Sequence, residues 1–295
     1  MDWQDQLIQV YEHVCQQFHQ GLWGYTQRFS NHDRPVFTDE EVITIYLFGL
    51  LRGHSKVREI YDYVQDHLID WFPRIPSYQG YVYRLNRCSK AFEVLVERLV
   101  DQVPRKGLLI HCRLVDSLPI ILAGEKRSDK AKVALRLANK GYCSSKDMYY
   151  HGVKLHLVAI TRWQTMPWPE YINISPGAES DLTMLRPVLP ELYDTELYGD
   201  KIYADQALVE QLQREQNVKL YTPVRRAKGQ KRLDLIDRVK STNVSRIRQP
   251  IESIFNWLIE KTDIQNASKI RSEKGLMRHI FGKLAAAMFL LVFYS

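Results

Sequence analysis

Only four cysteines, Cys15, Cys88, Cys112 and Cys143, occur in the 295 residues, far apart and with no C-x-x-C pair. That spacing signals neither a disulfide framework nor a zinc site, and a reducing cytoplasm fits it best. A long hydrophobic run is also missing: the most apolar stretch, Leu284 to Phe293, is well short of the roughly 18 residues a membrane span needs. It reads as a buried C-terminal helix, and no membrane partner is expected. The opening Met1-Asp2-Trp3-Gln4-Asp5 has no basic region followed by an apolar stretch, so no signal peptide is expected. No internal repeat stands out and no long low-complexity linker divides the chain. The strand residues His111 and His156 sit in no metal-ligand spacing and are read as structural.

What is present is the composition of a folded protein, 45% hydrophobic and 25% charged. The length is about twice that of a common single domain, so a smaller and a larger domain are expected. A formal charge of +7 favours a polyanionic partner, for which nucleic acid is the leading candidate.

The first hundred residues read as helices. Leu7, Val10, Tyr11, Val14 and Phe18 recur at helical spacing, and Thr38 with Glu41 forms a capping box ahead of Val42, Ile43, Ile45, Tyr46 and Leu47. Gly53 ends that helix, Ser55 opens another through Ile60, Val64 and Leu68, and two more follow around Tyr83 and Val94 to Val100. Helix-turn-helix and plain helical packing or dimerisation are equally compatible with this pattern. Near Lys106 the texture changes to strands: Leu108 to Val115, Leu118 to Leu122 and Val153 to Ile160. Helix over Ala178 to Leu192 interrupted by Pro187 and Pro190, strand over Glu196 to Gly199, helix over Gln206 to Gln213 and strand over Val218 to Thr222 complete a mixed α/β sheet covered by helices. The expected division is 1–104, helical, and 105–295, α/β.

Three carboxylates carry the candidate chemistry. Asp116 is expected at the end of an apolar strand, where burying it is costly unless it is paired or binds metal; the plainer reading is a turn residue beside Ser117. Asp200 follows the short strand Leu197-Tyr198-Gly199, with Asp205 the better helix-capping candidate. Glu252 is expected early in a helix that buries Ile251, Ile254, Phe255 and Leu258, with Pro250 in or near its first turn. Arg248 lies one turn before it, and a surface ion pair is the plainer reading of the two. Two carboxylates at strand ends and one on a later helix is a layout that lets oxygen ligands converge on two divalent ions, with Mg²⁺ or Mn²⁺ the suitable cofactor.

At these residues the chain resembles the DDE transposases of bacterial insertion sequences, members of the retroviral integrase superfamily with a ribonuclease H-like core. The matching phrases are Val115-Asp116-Ser117-x-Pro119, Gly152-Val153-Lys154-Leu155-His156, Gly199-Asp200-Lys201-x-Tyr203, Tyr221-Thr222-Pro223 and Arg248-x-x-Ile251-Glu252-x-x-Phe255. Gly141-Tyr142-Cys143 and Trp71-Phe72-Pro73-x-Ile75-Pro76-Ser77 look like one branch of that family. The family pattern around the glutamate often has Tyr where this chain has Ser245, and Lys where it has Ile259. The resemblance implies an enzyme that binds terminal inverted repeats, cuts a phosphodiester to free a 3′-hydroxyl and joins it to target double-stranded DNA, as a homodimer assembled on DNA near the nucleoid. Catalytic and metal-binding roles would fall to Asp116, Asp200 and Glu252. A silent DNA-binding derivative and a nuclease that cuts without joining are the alternatives. Between the second and third carboxylates Arg225, Arg226, Lys228, Lys231, Arg232, Arg238, Lys240, Arg246 and Arg248 are opposed only by Asp234 and Asp237, and read as a DNA-binding segment leading to Glu252.

Overall fold

The computed structural model describes residues 2–28, 35–103, 107–144 and 146–294. The chain divides into two compact units, Met1–Gln102 with Leu258–Ser295, and Val103–Trp257. The expected boundary between residues 104 and 105 lies outside the described residues. At the C-terminus the structure departs from the expected division, because Leu258–Ser295 belongs to the helical unit and not to the α/β unit.

In the helical unit, α1 (Trp3–His19) buries Leu7, Val10, Val14 and Phe18. Tyr11 was expected on the same stripe but is exposed, one 100° step beyond Val10. The start of α2 (Asp39–Leu51) carries the expected capping box: Glu41 N–H donates to Thr38 Oγ1 at 3.2 Å, and Thr38 N–H to Glu41 Oε2 at 2.5 Å. Helices α3 (Val57–His67), α4 (Tyr78–Arg87) and α5 (Ser89–Val100) follow. The core is completed from the far end of the chain by α9 (Glu273–Phe293), which packs on α2, α4 and α5. Nearly every residue of α9 from Leu276 to Phe289 is buried, the charged Arg278 and Lys283 included, so it needs neighbours on all sides. By length and composition α9 could cross a membrane; here it is a core helix. Gly282 permits its approach to α2, since a Cβ there would lie 2.5 Å from the Tyr46 ring.

The second unit is built on a six-stranded mixed sheet. Its strands are β1 (Leu108–Gly124), β2 (Asn139–Cys143), β3 (Met148–Arg162), β4 (Thr165–Pro176), β5 (Glu196–Tyr198) and β6 (Lys219–Tyr221). Antiparallel pairing joins β1 to β3, and β3 to both β2 and β4; parallel pairing joins β1 to β5 and β5 to β6. Helices α6 (Asp181–Leu185), α7 (Gln206–Gln216) and α8 (Leu235–Thr262) complete the elements, with the boundary between the two units falling inside α8. This is the ribonuclease H-like α/β architecture with a helical region before it.

Two strands were not anticipated, and one reason is visible. Strand β4 holds Pro167, Pro169 and Pro176, a residue type that disfavours a strand, but it pairs with β3 alone, and an edge strand tolerates proline. The helix over Ala178 to Leu192 is interrupted as expected at Pro187 and Pro190, which withhold their N–H groups, and consists of α6 and a single turn at Leu189–Glu191. Val115, Val158, Leu185, Leu192, Leu197 and Leu212 share one core that fixes β1, β5 and α7 to each other.

The β1–β3 contact is tightest at Gly152, where a Cβ would lie 2.0 Å from the Ile120 carbonyl oxygen. Gly152→Ala is therefore expected to lower stability by about 2 kcal/mol or more, read from urea denaturation. A loss below ~0.5 kcal/mol would show that the two strands separate freely at this point.

Candidate active site

Asp116 stands in the middle of β1, opposite Leu157 of β3, and not at a strand end as expected. The two apolar stretches around it form one strand because both polar side chains find partners without leaving the ladder. Asp116 Oδ1 accepts from Ser117 N–H at 2.8 Å, and Ser117 Oγ donates to Asp181 Oδ2 at 3.1 Å. On its other edge, β1 pairs with β5 in the parallel register Cys112↔Glu196, Arg113↔Leu197, Leu114↔Tyr198. That pairing ends at Leu114↔Tyr198, two residues before each acid, and the charge of Asp200 is near enough to act on Asp116. Asp200 stands just past the end of β5, where the chain turns through Lys201–Tyr203. Asp205 is the helix cap: its Oδ1 accepts from Leu208 N–H at 3.2 Å.

Glu252 lies deep in α8 and not near its start, and Pro250 is inside the helix. Proline removes one backbone hydrogen bond, but Ile251, Ile254 and Phe255 directly after it are buried, and that packing carries the helix through. Arg248, expected among the DNA-binding residues, is turned inward: it donates through Nη1 to Asp116 Oδ2 and through Nη2 to Glu252 Oε1, the latter at 2.7 Å. A surface i,i+4 pair describes only half of this. The Glu252 side chain is 53% exposed, but those of Arg248 and Asp116 are 15% and 22% exposed.

Burial pushes the Asp116 carboxyl up to about 6, Arg248 and the Ser117 N–H oppose that rise, and the charges of Asp200 and Asp181 add to it. Asp181 is an acid that the sequence reading missed. Lys154 Nζ donates to its Oδ1 at 2.9 Å and to the Glu179 carbonyl at 2.8 Å, and His156 Nδ1 lies 3.8 Å from the same Oδ1. His156 Nε2 is 2.7 Å from Ser175 Oγ, and burial lowers its pKa to about 4, so the ring is neutral at pH 7. The signal was available in Lys154 and His156, which alternate along an otherwise apolar strand; a lysine buried there requires a carboxylate. Lys154→Met leaves Asp181 without its cation, and is expected to cost ~3–5 kcal/mol in chemical denaturation. A cost below ~1 kcal/mol would show that the Ser117 hydroxyl and the histidine suffice.

Asp116, Arg248 and Glu252 are thus brought into contact, with Asp200 and Asp181 near enough to act on Asp116 electrostatically. The three carboxylates do not form one ligand cluster: among the described residues, no group of three or more His, Cys, Asp or Glu is arranged to hold a metal ion. Arg225, Arg226, Lys228, Lys231 and Arg232 are exposed on the irregular segment after β6, with Arg225 donating to the Lys201 carbonyl at 2.9 Å through Nε. Arg238, Lys240 and Arg246 are exposed on α8. His111 is occupied structurally, its Nδ1 lying 3.0 Å from the Asp194 carbonyl oxygen.

The family model of the transposase DDE domain matches residues 106–273, more than half of the chain and all of the residues just described from Asp116 to Glu252. The chain belongs to the transposase DDE domain family. No curated protein and no solved structure matches it significantly. Transposase DDE domains generally use divalent metal ions, and the donors here suit one. They are hard carboxylate oxygens, and burial above all, with the charges of Asp200 and Asp181 adding to it, raises the Asp116 pKa, a cost that a nearby cation relieves. In this arrangement the transposase meets part of that need with the Arg248 guanidinium.

Proposed function

We propose that this transposase binds the terminal inverted repeats of a bacterial insertion sequence, hydrolyses a phosphodiester at each end and joins the freed 3′-hydroxyl to target DNA. The observation that supports the reading is the Arg248 bridge between Asp116 of β1 and Glu252 of α8, with Asp200 near enough to act on Asp116, inside a transposase DDE domain.

Asp116, Asp200 and Glu252 would hold the divalent ions, Mg²⁺ or Mn²⁺, which when bound activate the attacking oxygen and stabilise the leaving one. Asp116 contributes from a buried position on a rigid strand, so its carboxylate direction is set by the fold. Glu252 contributes from a half-exposed helix face and must release Arg248 to do so. The released Arg248 is then free for a DNA phosphate, for which its planar fork is suited. The exposed cations from Arg225 to Arg246 hold the duplex backbone with affinity that falls as salt rises. Assembly as a homodimer on DNA, in the bacterial cytoplasm at the nucleoid, completes the proposal.

The test is incubation of the full chain with the DNA that flanks its gene, with Mg²⁺ or with a chelator, followed by mapping of cut ends and joined products. Mg²⁺-dependent 3′-hydroxyl ends together with joined products support the proposal. Binding without cutting, or cutting without joining of precut ends, overturns it in favour of a silent DNA-binding protein or a simple nuclease respectively.

A pH dependence follows from Asp116. Its folded pKa lies above the ordinary carboxylate value, so the proton is held as pH falls through about 6, and a protonated carboxyl is a poor metal ligand. Cleavage is expected to fall about tenfold per pH unit below 6. A flat profile down to pH 5 would remove Asp116 from the ionisation that controls the rate.

A further inference from the structure

The helical unit contains a cavity of about 510 Å³ remote in sequence from Asp116 and Asp200, lined by the first turn of α3, by Tyr78 and Asn86 of α4, and by residues 263–283. Six cationic side chains line it, Lys56, Arg58, Lys269, Arg271, Arg278 and Lys283, against Asp263 as the one acid. Lys56 and Arg58 are paired with Glu59 and Asp62. The two most buried cations have weaker compensation, Lys283 from Asp263 and Glu59 at a distance and Arg278 from the face of the Tyr46 ring at 5.4 Å. Lys283, 1% exposed, donates to the Asp263 carbonyl at 3.0 Å, and Arg278, 6% exposed, reaches Asn86 Oδ1 and Tyr46 Oη at 3.3 Å each. Among the described residues neither is in ion-pair contact with a carboxylate.

Part of this has a structural explanation. Lys283, with His279 beside the Ile264 carbonyl at 2.9 Å, caps the end of α8, where carbonyls lack helical partners. One N–H suffices for that, and an ammonium has three while a guanidinium has five. Asp263 and Glu59 act on Lys283 without ion-pair contact, so its buried charge is only partly offset, and the cavity wall also carries the first turns of α3 and α9, where the helix dipole favours negative charge. Burial holds Lys283 down to about 8, which an arriving anion would reverse. The volume is in the range of a pocket for a nucleotide-sized group.

We propose that this cavity seats a phosphate group of a DNA strand, a second nucleic-acid contact apart from the carboxylate site. The proposal rests on the DNA-processing reading above. DNA is favoured over a free phosphate compound because the chain belongs to a transposase family and carries a net charge of +7.

The experiment uses the full chain, with pyrophosphate alone as one probe and a short DNA duplex as the other. Wild type is compared with Lys283→Met and with the double variant Lys269→Ala/Arg271→Ala. Both side chains of the double variant are exposed, so it keeps the test decisive if loss of the α8 cap unfolds Lys283→Met. Millimolar pyrophosphate is expected to raise the wild-type Tm by several degrees and the variant Tm by far less. DNA affinity is expected to fall about tenfold in the variants, with the salt slope reduced by about 1 for each phosphate that the variant no longer neutralises. No thermal shift in wild type together with unchanged DNA affinity in the double variant would overturn the site. A thermal shift with unchanged DNA affinity would overturn DNA as the occupant in favour of a free phosphate compound. Neither readout needs catalysis, so failure of the proposed cleavage reaction would leave both results intact.

Discussion

Asp116→Asn, Asp200→Asn and Glu252→Gln are each expected to reduce Mg²⁺-dependent cutting of end DNA by at least ~10²-fold while DNA binding stays close to wild type. Each amide keeps the size of its acid and removes the charge that a cation requires. The structure sharpens the expectation for the pair on Arg248. In Asp116→Asn the guanidinium keeps the Glu252 carboxylate, and in Glu252→Gln it keeps that of Asp116, so in either case one strong partner remains and the local fold is expected to hold. Asp205→Asn is the control, since Asp205 caps α7 and asparagine caps about as well. Because ligands of one centre act as a unit, double substitutions are expected to be hardly worse than single ones. Cutting and binding would be measured on the same preparations, with circular dichroism as the check on folding. Full activity in any of the three, or an inactive but folded Asp205→Asn, would falsify the assignment.

The second large effect concerns the helical unit. A fragment ending at residue 104 is expected not to fold cooperatively, although on sequence grounds it looks like a complete helical domain. It lacks α9, whose buried Leu276, Ile280, Leu284, Met288, Phe289 and Leu291 fill the space against α2, α4 and α5. At ~1.5–3 kcal/mol for each such side chain the loss is ~9–18 kcal/mol, as large as the whole stability of an ordinary domain. Joining residues 1–102 to 258–295 through a flexible linker is expected to restore a sharp thermal transition. Circular dichroism on both forms decides the matter: a cooperative melt of the 1–104 fragment would show that α9 is dispensable.

Local chemistry makes several elements readable from the order of residues alone. The Thr38–Glu41 capping box, the buried stripe of α1 and the Asp205 cap depend on neighbours within one helical turn. The carboxylates were legible through short phrases and a family resemblance, not through their surroundings. Strand β4 was not legible, because its prolines are tolerated only on an edge, and edge position is a property of the assembled sheet.

What the sequence by itself determined was therefore the buried face of α1 and the starts of α2 and α7, with Asp116, Asp200 and Glu252 offered as candidate acids. Tertiary structure alone decided that Asp116 stays inside a continuous strand, that α8 runs through Pro250, and that α9 closes the first unit. It also decided that Asp181 joins Lys154 and that Arg248 bridges Asp116 and Glu252 across 132 residues of sequence. The physical reason is the same in each case. A cap or an amphipathic stripe is stabilised by contacts a few residues away, whereas a buried charge or a helix buried on all sides is tolerated only once distant segments have supplied its partners.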